Sequence, residues 1–285
     1  MLSDNIVDYF LQKKREPLVA WFFLKAVFFL ALIKLISIWI VADVVFAEYS
    51  KQTPESWYSR IIMLGSELAA SNIDLFLALF AAFLVFALIV RPDYRINLAF
   101  FWFELNYLRV LHPLANGSDF VMLALALFAI PLVPRQGHTS AYLQIISNGV
   151  FNCFRILIQI QVLSIYLVSG WDKLISEVWR SGNAFEYISN LELVFNPVFA
   201  PLFQSATMQL VMSWITIGFE LLFIPLVLIE RTRLPILAIG AVFHLVIWLM
   251  LGLPGFGWVM IISYTIFLRD RDFNRLPRRI RPSLP

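Results

Sequence analysis

Apolar residues gather along the chain into eight runs, at 18–47, 73–90, 94–112, 119–133, 149–170, 208–229, 234–251 and 254–268. A helix needs about 20 apolar residues to cross the hydrocarbon core of a bilayer, and the long runs meet that length. The fourth and eighth are near 15 residues and reach it less fully. The pattern predicts an all-α, polytopic membrane bundle of about eight transmembrane helices. Two polar gaps are long, 48–72 and 171–207. The second contains VFNPVFAPLF, Val194 to Phe203, too short to cross and interrupted by two prolines. It is expected to lie in the interface, or to re-enter where protein shields its backbone. No repeat and no low-complexity stretch divides the chain, so 1–285 reads as a single transmembrane domain.

Composition excludes the alternative of a water-covered domain. Only 14% of the 285 residues are charged and the mean hydropathy is +0.79, whereas a soluble domain carries about 25% charged residues. The net charge of +3 would ordinarily raise the question of nucleic acid. Here it follows from topology instead. With the N-terminus inside, the inner segments hold fourteen lysines and arginines, from Lys13 to Arg281, and the outer loops hold Lys51, Arg60, Lys173 and Arg180 alone. This asymmetry predicts both termini in the cytoplasm, with residues 269–285 as a basic cytoplasmic tail on anionic lipid. It also requires the fourth and eighth runs to cross, since the failure of one would put that tail outside. Val45-Phe46-Ala47 resembles a signal-peptidase site, but the first run is about 30 residues long against about 7–15 for a signal core, so it reads as a retained first helix. A single cysteine, Cys153, leaves no intrachain disulfide to form.

Seven ionisable residues interrupt the apolar runs: Lys25, Lys34, Glu104, Arg109, Arg155, Glu220 and His244. A charge at the centre of a spanning helix costs about 2.5–3.5 kcal/mol on insertion scales, so such groups persist where they face each other or a cavity. At about 1.5 Å of rise per residue, Glu104, Glu220, His244 and Lys34 fall near mid-bilayer. A histidine beside two carboxylates at one depth suits proton handling; the alternative is ion pairing or interhelical hydrogen bonding that locks the bundle. Lys25 and Lys34 are nine residues apart and so on opposite helix faces; at least one is expected to extend to the interface. The third and fourth runs are joined by HPLANGSD, where Asn116-Gly117 marks a turn and Asp119 is a cap candidate with imperfect spacing.

The fifth run ends in YLVSGWDKL, which places Lys173 between Trp171 and Trp179. Two readings stand. Lys173 is an interfacial lysine with tryptophans at headgroup level, or it is an amine whose charged form is disfavoured by partial dehydration between rings, and thus a usable base. The three histidines, His112, His138 and His244, lie on different segments without metal-ligand spacing, so no metal site is expected.

YLVSGWDKL, followed by Trp179, Gly182 and Ala184, resembles the signature of the horizontally transferred transmembrane (HTTM) group, the membrane core shared with vitamin K-dependent γ-glutamyl carboxylase. The resemblance continues in ITIGFELLFIP around Glu220, in AVFHLVIWLMLGLPGFGWVMI around His244, and in the NGSD turn at 116–119, mainly over 90–268. The small members similar to sporulation-delaying protein B, which mature a secreted peptide toxin, are nearest in size. The resemblance implies Lys173 as the base that serves a vitamin K-type quinone, with Glu220 and His244 lining the pocket. It leaves Glu104, Arg109, Asn116, Asp119, Trp171, Trp179 and Gly182 as pocket or structural positions. The chain lacks the large lumenal region of the carboxylase, which sets full carboxylase activity in doubt.

Three functions follow as expectations. The first is a maturation factor for a secreted peptide, working at the outer leaflet with a peptide precursor and a co-encoded accessory protein. The second is a quinone-dependent carboxylase or oxidoreductase. The third is a proton-coupled transporter.

Overall fold

The computed structural model describes residues 16–42, 57–112, 114–133, 140–191 and 195–273; for 57–61 and 141 the backbone alone is described. The basic residues from 274 onward, Lys13–Arg15, Lys51 and Arg135 lie outside this range, as do residues 48–56 of the first long outer gap. All regular structure among the described residues is helical. The helices are α1 (Pro17–Trp39), α2 (Trp57–Ser71), α3 (Ile73–Ile89), α4 (Tyr94–Leu111), α5 (Gly117–Ala129), α6 (Ala141–Ile175), α7 (Glu177–Arg180), α8 (Asn183–Ser189), α9 (Ala206–Leu228), α10 (Glu230–Leu251), α11 (Pro254–Ser263) and α12 (Asp270–Phe273). Short 3-10 turns occupy Pro197–Phe203 and Tyr264–Phe267.

Each apolar run therefore contains a helix among the described residues. Among the described residues, four helices are long and apolar enough to cross a membrane: α1, Tyr142–Ile175 of α6, α9 and α10. Shorter apolar helices cover Ile62–Ser71, Ile73–Ile89, Gly117–Ala129 and Pro254–Phe267. Two departures from the apolar pattern are evident. The α2 helix lies in what reads from sequence as an outer loop, because its sequence WYSRIIMLGSELAAS is amphipathic and too polar to register as an apolar run. The fifth run is extended at both ends, with α6 running 35 residues to Ile175, so Lys173, which reads from sequence as part of the outer gap 171–207, lies in its last turn.

Local chemistry sets the helix boundaries. The Asn72 side chain accepts from the Leu75 amide at 2.9 Å and starts α3; Asp93 does the same for Arg95 and starts α4. Such caps are worth about 1 kcal/mol each. Pro17 and Pro254 occupy first-turn positions, where a missing N–H removes nothing.

The chain forms two compact units. One takes in residues up to Ile158 and from Leu268 onward; the other is Gln159–Phe267, and the division falls within α6. In the first unit α1 packs on α3, α2 on α3 and α4, and α4 on α5. Its core is aromatic, with Phe28 edge-on to Phe100 and Phe80 stacked on Phe103 at 4.9 Å. Lys25 donates to the carbonyls of Ala87 and Leu88 at 2.7 and 2.9 Å and to that of Val90. These include orphan acceptors at the C-terminus of α3, where the helix dipole also favours a cation. Both Lys25 and Lys34 thus find partners inside the protein, and neither needs to extend to the interface. The short α12 returns to the start of α1, where the Asp270 carboxylate accepts from the Val19 amide at 3.0 Å.

In the second unit α9 packs on α10 and α10 on α11, while α7 and α8 lie against α9. The segment after Leu191 that reads as interfacial is tied to the end of α10. The Asn196 amide donates to the Met250 carbonyl at 2.8 Å and its side chain to Leu249 at 3.1 Å. Phe195 and Phe203 then enter a cluster with Phe185 and Met250, against which Trp179 packs.

Candidate functional site

The site in the second unit begins with a register on α6. Tyr166, Ser169, Gly170 and Lys173 recur at three- and four-residue steps, so they share one face. The buried positions of the facing helix α9, Ser213, Ile217, Glu220, Phe223 and Val227, follow the same period. The two helices come close at Gly170, where an added Cβ would stand 2.9 Å from Leu221 Cδ2 and 3.1 Å from Glu220 Cβ. A side chain there would push α9 away and separate the charges that follow.

Lys173 Nζ lies 2.9 Å from both carboxylate oxygens of Glu220, with only 16% of the lysine side chain and 9% of the glutamate side chain exposed. Ser169 Oγ accepts from Lys173 and donates to Glu220 Oε1 at 3.2 Å. The hydroxyl therefore bridges the two charges. The Lys173 ammonium also sits 5.1 Å from the ring centroid of Trp179, a cation–π contact. Trp171, the other flanking tryptophan, is exposed. The expectation of an amine between two rings is thus corrected to an amine under one ring and against a carboxylate. The reason is geometric: one turn of helix separates side chains two residues apart onto different faces.

His244 belongs to the buried face of α10, with Ile236, Leu237 and Gly240. Its Nε2 lies 2.7 Å from the Tyr166 hydroxyl, which also hydrogen-bonds the Tyr264 hydroxyl. Aromatic rings enclose the imidazole, Phe243 and Phe256 edge-on and Tyr264 tilted over it. Tyr166 itself stacks on Phe223 at 4.1 Å. His244 is thus tied to Tyr166, which stands about one turn from Ser169 on the α6 face that carries Lys173.

Gly182 stands at φ +87°, in the left-handed region, between α7 and α8. A Cβ there would approach the Leu210 backbone nitrogen to 2.7 Å. Gly182→Ala is therefore expected to lower stability by at least about 1–2 kcal/mol through backbone strain alone, measured as a lower denaturation midpoint in detergent, and to loosen Trp179 from Lys173. An unchanged midpoint would refute this.

The other residues marked from sequence lie in the first unit. Asp119 ends up at the third position of α5, with its Oδ2 accepting from the Asn116 amide at 2.8 Å and the Asn116 side chain returning a bond to the Ser118 amide. The spacing that looked imperfect for a cap is right for the reciprocal capping box, whose cap is Asn116. The remaining oxygen of Asp119 faces Lys34 Nζ at 2.5 Å. Glu104 is buried on α4 within electrostatic range of both. Arg109 occupies the last turn of α4, where a cation complements the helix dipole.

Sequence reasoning grouped Glu104 with Glu220 and His244. The structure places Glu104 in the first unit with Lys34 and Asp119, pairs Glu220 with Lys173, and sets His244 against Tyr166 on the same face of α6 as Lys173. It adds Tyr166 and Ser169, both already present in YLVSGWDKL at the helical register of Lys173. It also adds Tyr264, which no sequence pattern singled out.

No curated protein and no solved structure matches the chain. The profile of the HTTM domain matches residues 23–271, which contain α2 to α11 entire and every side chain of the site described above. On that match, and with four helices among the described residues long and apolar enough to cross a bilayer, the protein belongs to the HTTM domain family of membrane proteins.

Proposed function

We propose that this membrane protein acts in the maturation of a secreted peptide at the outer leaflet, through acid–base chemistry centred on Lys173. The topology this entails is eight crossings with both termini inside, which the loop charges support and which puts Lys173 on the outer side. The observation that carries a chemical role is the Lys173–Glu220 pair. A lysine serving only as an interfacial anchor extends its ammonium toward the headgroups. Lys173 instead turns inward onto a carboxylate and a hydroxyl.

A paired ammonium can still provide a base. Moving its proton to Glu220 leaves a neutral amine and a neutral acid, and in a low-dielectric site the two forms lie closer in energy than in water, since burial penalises the charged pair. The free amine can then accept a proton from a substrate, and Glu220 holds the displaced one. Ser169 keeps a hydrogen bond to either form. Trp179 and the Phe185 cluster shield the pair from water and favour the ammonium when it reforms.

A second reading is a quinone-dependent carboxylase or oxidoreductase, and one observation favours it. The His244 Nδ1 atom is buried without a hydrogen-bond partner among the described residues, beside Phe243 and Phe256. Aromatic faces with one open polar atom fit a quinone ring and one of its oxygens. When bound as its reduced form, such a group would supply oxygen-driven removal of a carbon-bound proton. His244 would orient it, and Lys173 and Glu220 would hold the proton.

The test is co-expression with secreted peptide precursors encoded beside this gene, with mass spectrometry of both the peptide and the lipid extract of the purified protein. A mature peptide that disappears with Lys173→Ala supports the proposal. A co-purifying quinone lost in the same variant selects the second reading. Equal peptide yield with Lys173→Ala would defeat both and leave a scaffold.

A further inference from the structure

The turn Pro197–Phe203 reads PVFAPLF and has no polar side chain. Its inward side is accounted for. Phe203 stacks on Phe185 at 5.0 Å, and Phe199 and Ala200 pack against the same cluster. Its open side is apolar as well, with Val198 78% exposed and Leu202 47%. An element that is apolar all round suits a surrounding that is itself apolar.

The backbone of this segment meets the demand a bilayer makes. Acyl chains offer no hydrogen bonds, so irregular chain approaches them only where its polar groups are already paired. Pro197 and Pro201 carry no N–H. The Phe195 amide donates to the Leu191 carbonyl at 2.8 Å, and the Asn196 amide to the Met250 carbonyl at 2.8 Å. Asn196 then closes the start of the turn. Its side-chain oxygen accepts from the Val198 amide at 3.1 Å, and its backbone carbonyl from the Phe199 amide at 3.0 Å. At the far end the Gln209 side chain donates to the Phe203 carbonyl at 2.7 Å. The bonds of a 3-10 turn join residues three apart and stay internal.

The place where the segment is tied gives its surroundings. The α10 helix is long and apolar enough to cross a membrane. Ile239, Val242, Val246 and Leu249 are exposed along it at steps of three and four, and so form one lipid-facing stripe. Asn196 is bonded to the carbonyls of Leu249 and Met250. The turn therefore begins where that stripe ends. At about 1.5 Å per residue, the 22 residues of α10 match the roughly 30 Å of a hydrocarbon core, which puts its last turn at the edge of the acyl layer.

We propose that Pro197–Phe203 is a lipid-seating element, lying at the boundary of headgroups and acyl chains with Val198 and Leu202 among the chains. Under the topology above, the leaflet is the outer one. Of the two places the sequence allowed this segment, its ties to the end of α10 favour the boundary over a path toward mid-bilayer. The inward side of the same turn enters the cluster against which Trp179 packs, and Trp179 covers Lys173. Seven residues thus join the acyl layer to the aromatic cover of the amine. The seat stands whether or not Lys173 does chemistry.

The test uses full-length protein in phosphatidylcholine nanodiscs, with the exposed Cys153 replaced by serine. Nitroxide labels are placed one at a time through Val198→Cys, Leu202→Cys, Val242→Cys on the α10 stripe, and Glu186→Cys at an exposed charged position of α8. Relaxation of each label is read with oxygen, which concentrates among acyl chains, and with a water-soluble nickel chelate. The labels at 198 and 202 are expected to give the high oxygen-to-nickel ratio of the label at 242, and the label at 186 a low one. A ratio at 198 and 202 as low as at 186 would overturn the seat. So would labels shielded from both agents, which would mean that protein covers the turn. A second measurement needs no substitution: the unaltered protein is irradiated in nanodiscs whose lipid carries a diazirine on its acyl chain. Adducts on Pro197–Phe203 are expected beside those on the α10 stripe, and adducts on the stripe alone would also overturn the proposal.

Discussion

Replacing Lys173 with methionine is expected to lower the stability of the folded protein by about 3–5 kcal/mol, the usual result of removing one partner of a buried pair and stranding the other. Glu220 would keep only the Ser169 hydroxyl as a partner, on a face of α9 that is otherwise Ser213, Thr216, Ile217, Phe223 and Val227, with the Thr216 hydroxyl already given to the Met212 carbonyl. Its rotation toward water is hindered by the close approach of α6 at Gly170. Lys173→Met combined with Glu220→Gln is expected to recover most of the loss, because the neutral amide carries no stranded charge and still accepts from Ser169. The measurement is unfolding free energy by denaturant titration in mixed micelles, for both single variants and the double. Recovery in the double variant is the decisive outcome; additive losses would mean that the pair contributes nothing as a pair.

The second large effect is expected at Lys34. Lys34→Met leaves Asp119 buried, and the capping box prevents the carboxylate from turning away, since its other oxygen is held by the Asn116 amide. The loss is again about 3–5 kcal/mol, and Asp119→Asn is expected to offset most of it. Asparagine can keep its carbonyl on the Asn116 amide, so the start of α5 survives while the charge is gone. Glu104, within electrostatic range of the same lysine, gives a further check: Glu104→Gln added to Lys34→Met should improve stability again. A Lys34→Met variant as stable as the parent chain would show that Asp119 reaches water by another route.

Several parts of this picture are readable in the chain itself. The eight apolar runs correspond to helices because each is too apolar to be left in water and too long to be a strand. The amphipathic α2 escaped that reading, because a polar–apolar stripe gives a weak signal when only uninterrupted apolar runs are sought. YLVSGWDKL already contains the register of Tyr166, Ser169 and Lys173, since residues three, four and seven apart share a helix face. The turn at Asn116-Gly117 was legible, though the cap was sought at Asp119, three residues past the actual cap Asn116. What periodicity does not carry is the identity of the facing helix. Glu220 is 47 residues from Lys173 and Tyr264 is 98 from Tyr166, and nothing local distinguishes these partners from others at equal depth.

The amino-acid sequence by itself determined that this protein lives in a bilayer, where its apolar helices lie, and that each charge inside them needs a partner, because an unpaired charge in hydrocarbon is too costly to keep. Only the tertiary structure decided which charge meets which. That choice depends on how closely two helices approach, and the approach is set by side-chain volume at contact points such as Gly170.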